Sequence, residues 1–200
     1  MKRYDCLQSI AGLVGDAIAV SSAGGVTLEW SNLRPGEANL RVRTLGLCSS
    51  IGLGLALTLP RRKILVLDGD GALLLNLSSL PTLGWQRPSN LVHCVFVNGV
   101  YEASGGGRNA TSANADLVAI ARGAGVPHAA WVDTVEEFRQ EVAAALDRNQ
   151  LSFIAARVEP GVQPGLKPID TQAVENKFLL ARYIERTEGI KVLAPAYPRH

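Results

Sequence analysis

Cysteine is scarce in this chain and follows no pattern. Cys6, Cys48 and Cys94 are an odd number without a C-x-x-C spacing, which excludes a disulfide framework and offers no zinc ligand set. Long hydrophobic runs are missing as well: none approaches the roughly 20 apolar residues that span a bilayer, so no membrane segment is expected. Charge of one sign is also lacking. A net charge of +2 over 200 residues gives no electrostatic reason to expect nucleic acid or an acidic membrane as partner, and the basic cluster Arg61-Arg62-Lys63 is short. Lys2 and Arg3 precede an apolar-leaning stretch as in a secretion signal, but Asp5, Gln8 and Asp16 interrupt it. A reducing cytoplasm is the expected location. No internal repeat occurs.

The chain suits one domain, able to bury roughly 70% of the surface its unfolded form exposes. An apolar content of 47% supplies the core. A first helix is expected over Asp5 to Gly15, a strand over Ala17 to Ser22, then a long Gly/Pro/Asn-bearing loop to about Val42. Leu45 to Leu59 is apolar with small residues and ends at Pro60, which reads as a helix packed closely on a sheet. Ile64 to Leu67 and Leu91 to Val97 read as buried strands, separated by a helix that Pro81 should kink or shorten.

The segment from Asn98 to Asn114 is rich in Gly, Ser, Ala and Asn and is expected to be a mobile surface loop. A helix follows from about Ala115 to Gly123, then a strand over Val126 to Val132. Thr134 with Glu137 three residues on is a capping box that opens a helix to about Arg148, and Ser152 to Val158 is a last strand. Strand and helix in alternation argue for an α/β fold, a parallel sheet with helices on both faces. From Glu159 on, Pro160, Gly161, Pro164, Gly165 and Pro168 make an extended linker. It leads to a helix over about Thr171 to Arg186 whose apolar side is read as Val174, Phe178, Ala181 and Ile184. The expected division is a domain at 1–160 and a linker with a terminal helix at 161–200.

Both central strands end in polar clusters, Gly69-Asp70-Gly71 and Asn98-Gly99. Either alone is ordinary turn chemistry. If the strands are parallel neighbours, however, Asp70 and Asn98 emerge together at the carboxyl edge of the sheet, where open α/β sheets bind ligands. A carboxylate and an amide carbonyl are oxygen ligands of the kind magnesium takes beside substrate phosphates. A helix starting near Ala72 would aim free N–H groups at a diphosphate.

The text GDG, with Asn98 standing 28 positions after Asp70, resembles the diphosphate signature of thiamine diphosphate (ThDP) enzymes. LGLCSSIGLGLAL, GDGALLLNLSSL and NGVYEASGG sharpen this toward the ThDP-binding part of sulfopyruvate and phosphonopyruvate decarboxylases, over roughly residues 15 to 160. The resemblance implies the ThDP diphosphate-domain fold. It implies magnesium held by Asp70, Asn98 and the backbone carbonyl of Val100, and cofactor contacts from Gly69, Gly71, Ala72, Tyr101 and Ser22. Leu45 would be the aliphatic wedge between the cofactor rings, and Arg43 would offer its carbonyl to the pyrimidine, although a Gly is usual there. Val97 replaces the first Asn of the usual pair, and Ser104 stands where some relatives carry an acidic proton donor.

In that family the Glu that activates the cofactor belongs to a pyrimidine-binding domain, which these residues do not supply. The resemblance therefore implies a magnesium- and ThDP-dependent decarboxylase subunit acting on a small 2-oxo acid, in a hetero-oligomer with a pyrimidine-binding, alpha-type partner. A carboligase or acetolactate-synthase-like subunit, or a non-catalytic ThDP-binding subunit, are the alternatives. Gly52-Leu53-Gly54 is not a dinucleotide loop, because no strand immediately precedes it and Leu57 stands at the third glycine position. His93 reads as a core histidine, His128 as a strand residue, His200 as a tail residue, and Arg108 as an exposed loop residue.

Overall fold

The computed structural model describes residues 1–193; His200 lies outside them. Six strands form one wholly parallel sheet: β1 (Ile18–Ser22), β2 (Asn39–Val42), β3 (Ile64–Gly69), β4 (Leu91–Val97), β7 (His128–Val132) and β8 (Ser152–Arg157), in the order β2-β1-β3-β4-β8-β7. Between β4 and β7 a short antiparallel pair is made by β5 (Val100–Tyr101) and β6 (Gly107–Arg108). The helices are α1 (Arg3–Ala11), α2 (Gly25–Leu33), α3 (Cys48–Thr58), α4 (Asp70–Leu74), α5 (Ser79–Gln86), α6 (Leu117–Gly123), α7 (Val135–Asp147) and α8 (Ala173–Glu188).

The central strands are uniformly buried because a parallel sheet is covered on both faces. Along β3, Ile64 and Val66 join a core with α3, α5 and α6, whereas Leu65 and Leu67 join one with α1, α2 and α7. Residue by residue, β3 and β4 run in register, with Leu67 opposite Cys94 and Gly69 opposite Phe96. The expected neighbourhood of the two polar strand ends is therefore present. From β1 the chain turns outward to β2 and then crosses back to β3, so the strand order reverses between β1 and β3. Such a switch point opens a crevice above the carboxyl ends.

Several elements differ from the sequence reading. The expected loop before Val42 holds α2 and the edge strand β2. A buried Glu29 on α2 hid the helix, since it breaks the apolar stripe and is accommodated by pairing with Arg3 and by accepting from Gln163 N. The helix after the GDG turn is two, α4 and α5, with Pro81 in the first turn of α5, where its missing N–H costs nothing. Asn98 to Asn114 is not a plain loop: it holds β5, β6 and two 3-10 turns, Glu102–Ser104 and Ala110–Ser112. On α8 the buried side is Asn176, Leu180, Ala181 and Ile184, while Val174 and Phe178 are exposed.

The capping box is formed: Thr134 Oγ1 accepts from Glu137 N at 3.1 Å and Glu137 Oε2 accepts from Thr134 N at 3.2 Å. The glycine of α3 that matters is Gly52. A Cβ there would lie 2.2 Å from Val66 Cγ2, so helix and strand meet backbone to side chain; one on Gly54 would meet nothing. The linker after β8 runs back across α1 and α2, bonding Met1 O through Glu159 N and pairing Asn32 with both polar groups of Lys167. It delivers α8 to the open edge of β2.

Candidate functional site

A cleft at the carboxyl edge of β1, β3 and β4 gathers nine of the ten anticipated cofactor positions. Ser22, Leu45, Gly69, Asp70, Gly71, Ala72, Asn98, Val100 and Tyr101 all line it. Arg43 does not; it is exposed just after β2. Ser104 and the buried ring of Phe96 also face the cleft.

Asp70 is fixed more firmly than a turn residue would be. Its Oδ1 accepts from Gly71 N at 2.8 Å, and its Oδ2 accepts from Gly99 N at 2.9 Å, Asn109 Nδ2 at 3.0 Å and Thr111 Oγ1 at 2.5 Å. These bonds fold the segment after Asn98 back over β3, which is why it takes regular turns. Oδ2 is saturated, whereas Oδ1 keeps a lone pair. Asn98 Oδ1 accepts from Val100 N at 3.0 Å, and its Nδ2 donates to Glu102 Oε2 at 3.2 Å. A Cβ on Gly71 would lie 2.8 Å from the Tyr101 ring, so this turn needs glycine to pack on the tyrosine.

Four residues to which the sequence reading gave no part in the site support or line it: Arg3, Glu29, Asp68 and Glu102. Arg3, on the first helical turn, is buried, and its Nε donates to Glu29 Oε2 at 2.7 Å and its Nη1 to Glu102 Oε2 at 3.0 Å. Burial pulls the Arg3 guanidinium pKa down, but the hydrogen bonds and charges of Glu29 and Glu102 outweigh it and hold the pKa above its ordinary value. Asp68 is wholly buried beneath the cleft; its Oδ2 lies 3.6 Å from His93 Nε2, and neither atom has a hydrogen-bond partner. A lone Arg, two scattered Glu and a strand Asp carry no motif, so only the fold brings them together. His93 is a core residue as read, set edge-on to Phe153.

The donor chemistry fits a hard divalent cation. Among the described lining residues one arginine stands against three carboxylates, Asp68, Asp70 and Glu102. A cation bridging a diphosphate to these carboxylates would offset that excess of negative charge. No cluster of three His, Cys, Asp or Glu side chains suited to a metal occurs among the described residues; the candidate ligands are those the resemblance implies, the side-chain oxygens of Asp70 and Asn98 and the main-chain carbonyl of Val100.

Residues 33–156 match the family described as thiamine pyrophosphate enzyme, C-terminal TPP binding domain. The chain belongs to that family. Thiamine pyrophosphate is another name for ThDP. The chain is 36% identical over 161 residues to sulfopyruvate decarboxylase subunit beta of Methanocaldococcus jannaschii, covering 80% of this chain and 85% of the relative. It is 35% identical over 158 residues to phosphonopyruvate decarboxylase of Streptomyces viridochromogenes, of which it spans 39%. Among solved structures, the ThDP-dependent 4-hydroxybenzoylformate decarboxylase of Rhodococcus jostii superposes with a TM-score of 0.68 at 21% identity, over 82% of this chain and 33% of that one. That likeness concerns the fold. The chain thus has the extent of a subunit in the first relative and of one part of a longer polypeptide in the other two.

Proposed function

We propose that this chain is the diphosphate-binding subunit of a ThDP- and magnesium-dependent decarboxylase of small 2-oxo acids of the sulfopyruvate or phosphonopyruvate kind. The observation that carries the reading is the convergence of Asp70, Asn98, Val100 and the Gly69-Gly71-Ala72 turn on one cleft with excess negative charge. Asp70 through Oδ1, Asn98 through Oδ1 and Val100 through its carbonyl would hold magnesium, and the turn at Gly69 to Ala72 would receive the diphosphate. Leu45 supports the cofactor rings, while Tyr101 and Phe96 exclude water from the inner wall. When bound, the cofactor supplies the nucleophilic carbon and the electron sink for loss of carbon dioxide from a 2-oxo acid.

Residues 1–160 are the diphosphate-binding domain in this reading, and the described part of 161–200 fastens it. The partner is a pyrimidine-binding, alpha-type subunit, in keeping with the subunit-beta names of the relatives. A cytoplasmic location suits three buried free thiols.

The direct test is to assay the purified chain with ThDP, magnesium and sulfopyruvate, alone and with a candidate pyrimidine-binding subunit. Aldehyde is expected only with both subunits. Robust turnover by the chain alone would sink the shared site, and a hydroxyketone product would move the reaction to carboligation.

A further inference from the structure

An amide side chain has two chemically opposite ends, one accepting and one donating. A metal ligand made from Asn98 works only if the oxygen is presented. Two contacts demand the same orientation: Val100 N donates to Asn98 Oδ1 at 3.0 Å, and Asn98 Nδ2 donates to Glu102 Oε2 at 3.2 Å. Turned over, the amide would set its oxygen against a carboxylate and its NH2 against an N–H.

Glu102 sits on a partly exposed 3-10 turn, where an unrestrained side chain would swing away. Two contacts restrain it, and a third ties its two clamps together. Arg3 Nη1 donates to its Oε2 at 3.0 Å, Gly161 N donates to its Oε1 at 2.5 Å, and Arg3 Nη2 also grips the Gly161 carbonyl at 3.0 Å. Arg3 in turn is locked by Glu29 at 2.7 Å, and Glu29 accepts from Gln163 N at 3.0 Å. Even the start of α2 is shaped for it, since a Cβ on Gly25 would lie 2.1 Å from Arg3 Nη2.

We propose that Glu102 is a positioning residue: clamped by Arg3 and by the backbone of Gly161, it fixes which end of the Asn98 amide faces the cofactor cleft. The proposal rests on the reading of Asn98 as a magnesium ligand. It gives the N-terminal helix and the segment after β8, both remote in sequence from the GDG turn, a part in setting metal affinity. A neighbour that orients a metal ligand is worth about tenfold to a hundredfold in affinity.

The test is Mn2+ binding to the full chain, alone and assembled with the pyrimidine-binding subunit, at saturating ThDP, followed by the paramagnetic resonance of free Mn2+. Glu102→Ala should weaken binding about tenfold or more, and Glu102→Gln, whose carbonyl can still accept from Asn98 and Arg3 but whose NH2 would face Gly161 N, should lose less than Glu102→Ala. Asn98→Asp placed in the Glu102→Ala background should recover most of the loss, because a carboxylate has no wrong end; a role limited to stabilising the fold would not be rescued that way. Wild-type affinity in Glu102→Ala, or no recovery in the double variant, would overturn the proposal. Absence of ThDP-dependent Mn2+ binding in the wild type would instead overturn the cofactor reading, and this proposal with it. If Glu102→Ala does not fold, the wild-type chain still decides: the side-chain NH2 signals of Asn98, assigned by their loss in Asn98→Asp, should exchange slowly in D2O, and fast exchange overturns the idea.

Discussion

Each carboxylate oxygen of Asp70 accepts a main-chain N–H, from Gly71 on one side and from Gly99 on the other, so the residue both closes the GDG turn and ties it to the end of β4. That double duty makes a small change informative. In Asp70→Asn the new NH2 must face either Gly71 N or the three donors at the other oxygen, and a buried donor left without an acceptor costs about 1–3 kcal/mol. The variant should melt at a lower temperature than wild type and lose magnesium-dependent ThDP binding, read by calorimetric titration; unchanged affinity would remove Asp70 from the site. Glu29 illustrates the opposite case, a charge with no place in an apolar stripe. It is tolerated because the buried Arg3 meets it, with Gln163 N donating to it as well, and removing one partner of such a pair typically costs about 3–5 kcal/mol.

At the scale of elements, the outer edge of β2 would be an open ladder of unpaired backbone groups, a standing invitation to strand pairing between chains. Here α8 covers it by an unusual route. Asn176 accepts from Arg41 N at 2.9 Å through Oδ1 and donates to Asn39 O at 2.8 Å through Nδ2, so one side chain makes the two bonds a neighbouring strand would make. Arg41 adds a bond to Thr171 O at 2.7 Å. Asn176→Ala should therefore lower stability by about 1–3 kcal/mol in urea unfolding, seen as a shifted midpoint with an unchanged slope; a variant as stable as wild type would deny Asn176 that role. The apolar stripe expected on α8 was misplaced for the same reason. Hydropathy favours Val174 and Phe178 for burial, but the sheet edge requires an amide, and the helix turns Asn176 inward to supply it.

For the molecule as a whole, the three thiols report on opening. Burial pushes the Cys6 thiol up to about 12 from its ordinary 9.0, and raises Cys48 and Cys94 as well. Thiolate is the reactive form, so none of the three should react with an aromatic disulfide reagent at pH 8 until the chain unfolds, after which all three should. The pH dependence follows in sign. With folded-state pKa values above the unfolded ones, the thiols' contribution is complete below pH 9 and declines as the pH rises, that of Cys6 being lost towards about 12, because the unfolded chain ionises first. A melting temperature that holds steady across that range would contradict the burial of these groups.

The sequence by itself determined the parallel α/β alternation, the capping box of α7, the close packing of α3 on the sheet and the placing of Asp70 and Asn98 each at the polar end of a buried strand. These are local or periodic signals: a run of apolar residues, a cap spacing, a small residue where a helix must approach a strand. Only the tertiary structure decided that α2 and β2 exist within an apparent loop, that Asn109 and Thr111 fold back onto Asp70, and that Arg3, Glu29, Glu102 and Gly161 meet beside Asn98. The physical reason is that a buried charge or amide has no favourable meaning until its partner is known. Those partners lie up to 158 residues apart along the chain and become neighbours only when the strands have stacked.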